Sequence, residues 1–141
     1  MSYTKWFEEH ANKHKVIVSK LQKQNYTKEQ IIEYFNFESM VKNEPEFCPL
    51  YVDNKKCHDM ESLNCYLCAC PNFRFLDEGI KKVGENTQYS FCDIESKDGA
   101  QGVYGDAIHQ DCSKCGVPHH KSYVEKNFDL DWKVAMKKCA L

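Results

Sequence analysis

Large apolar side chains are scarce where a core would need them. Between Cys48 and His120 they are sparse and irregularly spaced, and a segment of about this size rarely draws more than a few kcal/mol from its hydrophobic core alone. Such a segment needs staples. No uninterrupted apolar stretch approaches a membrane span, which excludes a transmembrane helix. The formal net charge is −2, so there is no cationic field to displace counterions from phosphates, and non-specific nucleic-acid binding has no basis. The opening residues, Met1-Ser2-Tyr3-Thr4-Lys5-Trp6-Phe7-Glu8-Glu9-His10, lack the basic flank and apolar run of an export signal, and the expectation is a cytoplasmic protein. There is also no internal repeat and no low-complexity tail. No His-x-Glu or His-Glu-x-x-His arrangement marks a hydrolytic metal site.

What the chain does have is cysteine, nine in 141 residues. In a reducing compartment these stay thiols, and the odd count also disfavours a disulfide framework. The thiols are clustered. Asn64-Cys65-Tyr66-Leu67-Cys68-Ala69-Cys70-Pro71 holds three, and Asp111-Cys112-Ser113-Lys114-Cys115-Gly116-Val117-Pro118-His119 holds two more with an imidazole. A Cys-x-x-Cys pair works because a tight turn brings both sulfurs to one side, where turn amides also stabilise their negative charge. Cys65/Cys68 and Cys112/Cys115 have this form, and His119 follows Cys115 at a zinc-finger reach. Cys70, the adjacent Cys57-His58, Cys48 and Cys92 complete the candidate metal ligands. Neighbours in an extended segment point apart, so Cys57 and His58 are not expected to share an ion unless a turn intervenes. Cys65, Cys68 and Cys70 are close enough to divide between neighbouring metals.

Either side of this region the periodicity is helical. Phe7, Ala11, His14, Ile17, Val18 and Leu21 recur at three- and four-residue steps through 2–24, Asn25 can end that helix, and Thr27-Lys28-Glu29-Gln30 reads as a capping box opening a second. The first 43 residues are therefore expected as a helical hairpin appendage, and 44–141 as a cysteine-rich metal-binding domain. Its short extended pieces fall at Phe73–Leu76, Gln88–Phe91 and Gly102–Tyr104, and it ends in a helix begun by Asp129 or Asp131. The fold class this predicts is small α+β with an irregular metal-stabilised core. The hairpin is the expected surface for a protein partner or for self-association. It lacks the Arg, Asn and Gln cluster of a DNA-recognition helix, so nucleic acid is not an expected partner. His10 and His14, one turn apart, read as solvated or half-buried histidines rather than ligands.

The motif resembles the cysteine-rich small domain family, which is zinc-finger-like. That family's pattern of an early Cys, a Cys-His pair, Asn-Cys-x-x-Cys-x-Cys-Pro, a further Cys and Asp-Cys-x-x-Cys-x-x-Pro-His is met here by Cys48, Cys57-His58, residues 64–71, Cys92 and residues 111–119. Cys92 is followed by Asp93-Ile94 where the family has glycines. The resemblance implies metal binding through these residues and assigns no reaction.

Zinc is the favoured metal, because mixed Cys/His sets satisfy a tetrahedral ion with no d-electron preference, and about two such sites can be filled. The rival counts thiols alone. Cys48, Cys57, Cys65, Cys68, Cys70, Cys92, Cys112 and Cys115 make the eight that two four-iron clusters require, and Cys48-Pro49 and Cys70-Pro71 echo the Cys-Pro end of ferredoxin runs. A metal-dependent enzyme, with Glu61, Asp93 or Asp111 as base, is the third reading and the weakest, since nothing in the pattern marks an open coordination position.

Overall fold

A long helix whose apolar stripe is entirely covered by the rest of the chain frames the molecule. The structure is a computed structural model describing residues 2–141. Helix α1 spans Tyr3–Lys23, with Ser2 as N-cap accepting a bond from the Lys5 amide. It buries Phe7, His10, Ala11, His14, Ile17, Val18 and Leu21, so the expected stripe is seated on the chain's own core. Asn25, at φ 62°, ends the helix, a left-handed position that Asn tolerates better than most residues.

The capping box forms as the sequence requires: the Gln30 amide donates to Thr27 Oγ1 at 3.2 Å and the Thr27 amide to Gln30 Oε1 at 2.8 Å. The second helix of the hairpin is nevertheless two helices, α2 (Lys28–Tyr34) and α3 (Phe37–Asn43). The break at Phe35-Asn36 has a cause. The Cys65 amide donates to the Phe35 carbonyl at 2.8 Å and the Phe37 amide to the Leu63 carbonyl at 2.9 Å, so the break lends its backbone to the cysteine segment. A helical periodicity cannot report a bond made with residues almost thirty positions away.

The described residues form a mixed α+β fold of five helices and two small sheets. The first sheet pairs β1 (Phe73–Phe75) with β4 (Ser90–Cys92), antiparallel, with Phe73 opposite Cys92. The second has the order β2-β3-β6-β5, from β2 (Lys81–Val83), β3 (Asn86–Gln88), β5 (Ala100–Tyr104) and β6 (Ala107–Asp111), with β3 and β6 parallel. The expected pieces at Phe73–Leu76 and Gly102–Tyr104 overlap β1 and β5, whereas that at Gln88–Phe91 is split between the end of β3 and β4. Strands β2 and β6 went unseen because they carry too few branched or aromatic residues to signal themselves, as Lys81-Lys82-Val83 shows. Gly84 and Gly105 turn the two hairpins at φ 65° and 68°, with positive φ at the first loop position only, which a two-residue turn of this kind assigns to glycine. At the C-terminal end, α4 (Lys121–Asn127) precedes a single turn, α5 (Trp132–Ala135), which Asp131 caps through the Lys133 amide. The expected terminal helix is thus shorter than its periodicity suggested.

One hydrophobic cluster runs through α1–α3, the 63–67 stretch, β1 and α5, with Ile32, Phe35, Met40, Leu63, Tyr66, Leu67 and Trp132 in its interior. The cysteine segment therefore contributes Leu63, Tyr66 and Leu67 to a real core. The sheet lobe does not: between Leu76 and Cys115 the only buried hydrophobic residue is Ile108. Val83, Val103 and Tyr104 are exposed. No helix is long and apolar enough to cross a membrane.

A candidate metal centre at Cys57, His58 and His119

The geometry starts at Asn64, which the fold holds almost completely out of water. Its Nδ2 donates to the Ile32 carbonyl at 2.7 Å and to Asn36 Oδ1 at 2.9 Å, and its Oδ1 accepts the Tyr66 amide at 2.9 Å. Its backbone holds His119 twice: the Asn64 amide donates to the His119 carbonyl at 3.0 Å, and His119 Nδ1 donates to the Asn64 carbonyl at 2.8 Å. A carbonyl only accepts, so Nδ1 carries the proton of the neutral ring and Nε2 keeps the lone pair. That lone pair lies 3.6 Å from Cys57 Sγ.

His58 is set the same way from the other end. Its Nε2 donates to the Cys112 carbonyl at 2.9 Å, leaving Nδ1 as the acceptor, 3.0 Å from Cys57 Sγ. The chain bends through 57–59, which brings Cys57 and His58 to one side, against the opposed orientation expected of an extended pair. Among the described residues, Cys57, His58 and His119 are the one group of three whose donor atoms all lie within 4.8 Å of one another. A tetrahedral zinc with its usual bond lengths sets S···N edges of about 3.5 Å. The Cys57–His119 edge already has that length, and the Cys57–His58 edge needs to widen slightly.

Cys48, Cys65 and Cys68 lie within electrostatic reach of Cys57. Burial pushes the Cys65 thiol up to about 12, and the charges of Cys57 and Cys48 add to the rise. Cys68 is raised by burial first and then by Cys65, Cys57 and Cys48, and Cys57 by burial and then by Cys48. The four sulfurs thus lie within one another's electrostatic reach, where they cannot ionise together without a cation. The Tyr51 hydroxyl is buried with no hydrogen-bond partner. A thiolate at Cys65 would satisfy it. Burial also lowers His119, which favours the neutral, ligating ring.

Cys70, Cys92, Cys112 and Cys115 make a second group of thiols that lines one cavity with Cys57, His58, Cys68 and His119. Ala69 and Cys70 both have positive φ, 91° and 64°, a costly conformation for residues with a Cβ and one that marks a constrained site. It separates Cys70 from Cys65 and Cys68, two residues away. The charges that reach Cys70 are those of Cys92 and Cys115, as the division of neighbouring thiols between metals would require.

Other candidates fall away on position. Cys139 is buried and donates to the Met136 carbonyl at 3.0 Å, and His120 is exposed. Asp93 pairs with Arg74 at 3.5 Å, Asp111 accepts the Ser113 amide at 2.9 Å, and Glu61 is exposed. His10 and His14 are not solvated. They are buried among Trp6, Phe35, Phe47, Tyr66 and Trp132, and His14 Nε2 donates to the Tyr66 carbonyl at 3.1 Å. Among the supporting residues, Asn64 stood in the motif without a role, and Tyr51, Asn72 and Ser96 gave no sequence signal, since each acts through a contact between distant segments.

No family model, curated protein or solved structure matches this chain. The resemblance to the cysteine-rich small domain family therefore rests on its motif residues alone.

Proposed function

We propose that this is a metal-binding protein whose Cys57, His58 and His119 hold a structural zinc ion, with the fourth donor drawn from Cys48, Cys65 and Cys68. The observation that carries the reading is the fixed tautomer of both histidines. Each ring has one nitrogen committed to a backbone carbonyl and the other turned to Cys57 Sγ. Outer hydrogen bonds of this kind orient imidazole ligands and raise their basicity. The metal's part is cohesion, since it joins the 57–59 bend to the 3-10 turn at Val117–His119 across a region with little apolar area. Structural zinc supplies roughly 10–16 kcal/mol in small peptides. The catalytic reading has no base aimed at the group, because Glu61, Asp93 and Asp111 are exposed or bonded elsewhere. As a zinc-held scaffold, the protein serves as an interaction or regulatory module. Because the inner stripe of α1 is occupied, the partner surface is its outer side, where Trp6 and Val16 are exposed.

Elemental analysis of anaerobically purified protein tests this. Zinc should be present, and Cys57→Ala and His119→Ala should each remove it from the first centre. Zinc content unchanged by both substitutions refutes the assignment.

A further inference from the structure

We infer that Cys70, Cys92, Cys112 and Cys115 form a second, all-thiolate centre, separate from the histidine-containing one and spaced for an iron–sulfur cluster rather than a single ion. Three separate pieces of chain bring the four sulfurs together. The Phe73 amide donates to the Cys70 carbonyl at 3.1 Å, and β1 starts there, with Phe73 in register with Cys92. The Asp93 amide returns to the Asn72 carbonyl at 2.7 Å, fixing Cys92 beside the Cys70 turn. Strand β6 ends at Asp111, and the next residues make the Cys112–Cys115 turn, with the Cys115 amide on the Cys112 carbonyl at 3.0 Å. All four line one cavity of about 510 Å³, which Cys57, His58, Cys68 and His119 of the first group also line.

Two of the sulfurs also meet a donor in Ser96. The Ser96 amide lies 3.5 Å from Cys92 Sγ and its hydroxyl 3.1 Å from Cys115 Sγ. Hydrogen bonds to sulfur stabilise thiolates, and in iron–sulfur proteins they set the potential. The spacing decides between the two kinds of occupant. One zinc at about 2.3 Å from each thiolate requires sulfurs about 3.8 Å apart. Among the described residues, no three sulfurs of this quartet lie within 4.8 Å of one another, a wider spread than a closed zinc site holds. A cluster that bonds each cysteine to a different iron holds the four farther apart. The cavity suits it, since Tyr3, Phe7, Phe73, Phe75 and Ile94 give it apolar walls.

This inference does not depend on the zinc reading, and one experiment separates them. Purified protein is incubated anaerobically with ferrous iron and sulfide, desalted, and assayed for iron, acid-labile sulfide, zinc and visible absorption. The wild type should turn brown and retain sulfide. Cys92→Ala and Cys112→Ala should lose sulfide but keep zinc, whereas Cys57→Ala should keep sulfide and lose zinc. Ser96→Ala, which removes no ligand, should retain the chromophore with altered absorption or potential. Wild-type protein that retains no sulfide, or that takes cobalt at this quartet with a tetrahedral four-thiolate spectrum, overturns the inference. Sulfide loss in Cys57→Ala but not in Cys92→Ala does the same.

Discussion

Replacing Asn64 by alanine should destabilise the protein by about 3 kcal/mol, although the residue binds no metal. The side chain makes three hydrogen bonds in a site 1% exposed. Each buried bond contributes about 1 kcal/mol net, and a donor left without a partner costs about 1–3 kcal/mol. Asn64→Ala strands the Tyr66 amide inside the core. The Ile32 carbonyl suffers less, because it also accepts the Phe35 amide at 3.1 Å. Against a total stability of about 7–15 kcal/mol for a domain of this size, the loss lowers the melting temperature by roughly 10 °C. Urea denaturation of metal-loaded protein, followed by far-ultraviolet circular dichroism, measures it. Asn36→Ala, which removes the Asn36 Oδ1 bond and an exposed bond from its Nδ2 to Glu33, should cost about 1 kcal/mol. An Asn64→Ala midpoint within 1 kcal/mol of wild type would refute the reasoning, since the Asn64 side chain would then not be the joint between α2 and the first Cys-x-x-Cys turn.

Acid should act through the core as well as through the ligands. Burial holds His10 down to about 4 and His14 down to about 3, against about 6.5 in an unfolded chain. Between those values the unfolded state binds the extra protons, so this stabilisation is complete above about pH 6.5 and is lost as pH falls, at up to about 1.4 kcal/mol per pH unit for each ring. His10→Gln should lower the slope of stability against pH between 6.5 and 5 by that amount, and equal slopes for variant and wild type would count against it. Chelation under reducing conditions should melt the sheet lobe while most helical signal survives, because α1–α3 share their core with Leu63, Tyr66 and Leu67. Hydrogen exchange should locate the loss in residues 77–120, and full protection there without metal would contradict it.

Where the chain follows local rules, its sequence was readable. The α1 stripe, the Thr27 capping box and the strand at 100–104 are all set by residues within a few positions of one another. Of the expected ligands, the fold gathers the donor atoms of Cys57, His58 and His119 within 4.8 Å of one another. What stayed hidden was whatever depends on distant backbone: the break at Phe35-Asn36, the bend that turns Cys57 and His58 together, and the brace of Asn64 against His119. The buried setting of His10 and His14 was also illegible, because it arises from Phe47 and Trp132, far along the chain. The scarcity of apolar residues was read too broadly. It holds for the sheet lobe but not for the 63–67 stretch.

The two glycine-turned hairpins have a practical consequence. A Cβ built at Gly84 or Gly105 meets no atom within 4 Å, and the flanking Val83 and Tyr104 already face solvent. Neither loop tip lines the thiol-walled cavity. These tips are the natural places to graft an epitope or a fluorophore, so that loading of the sulfur sites can be followed from outside without touching a ligand.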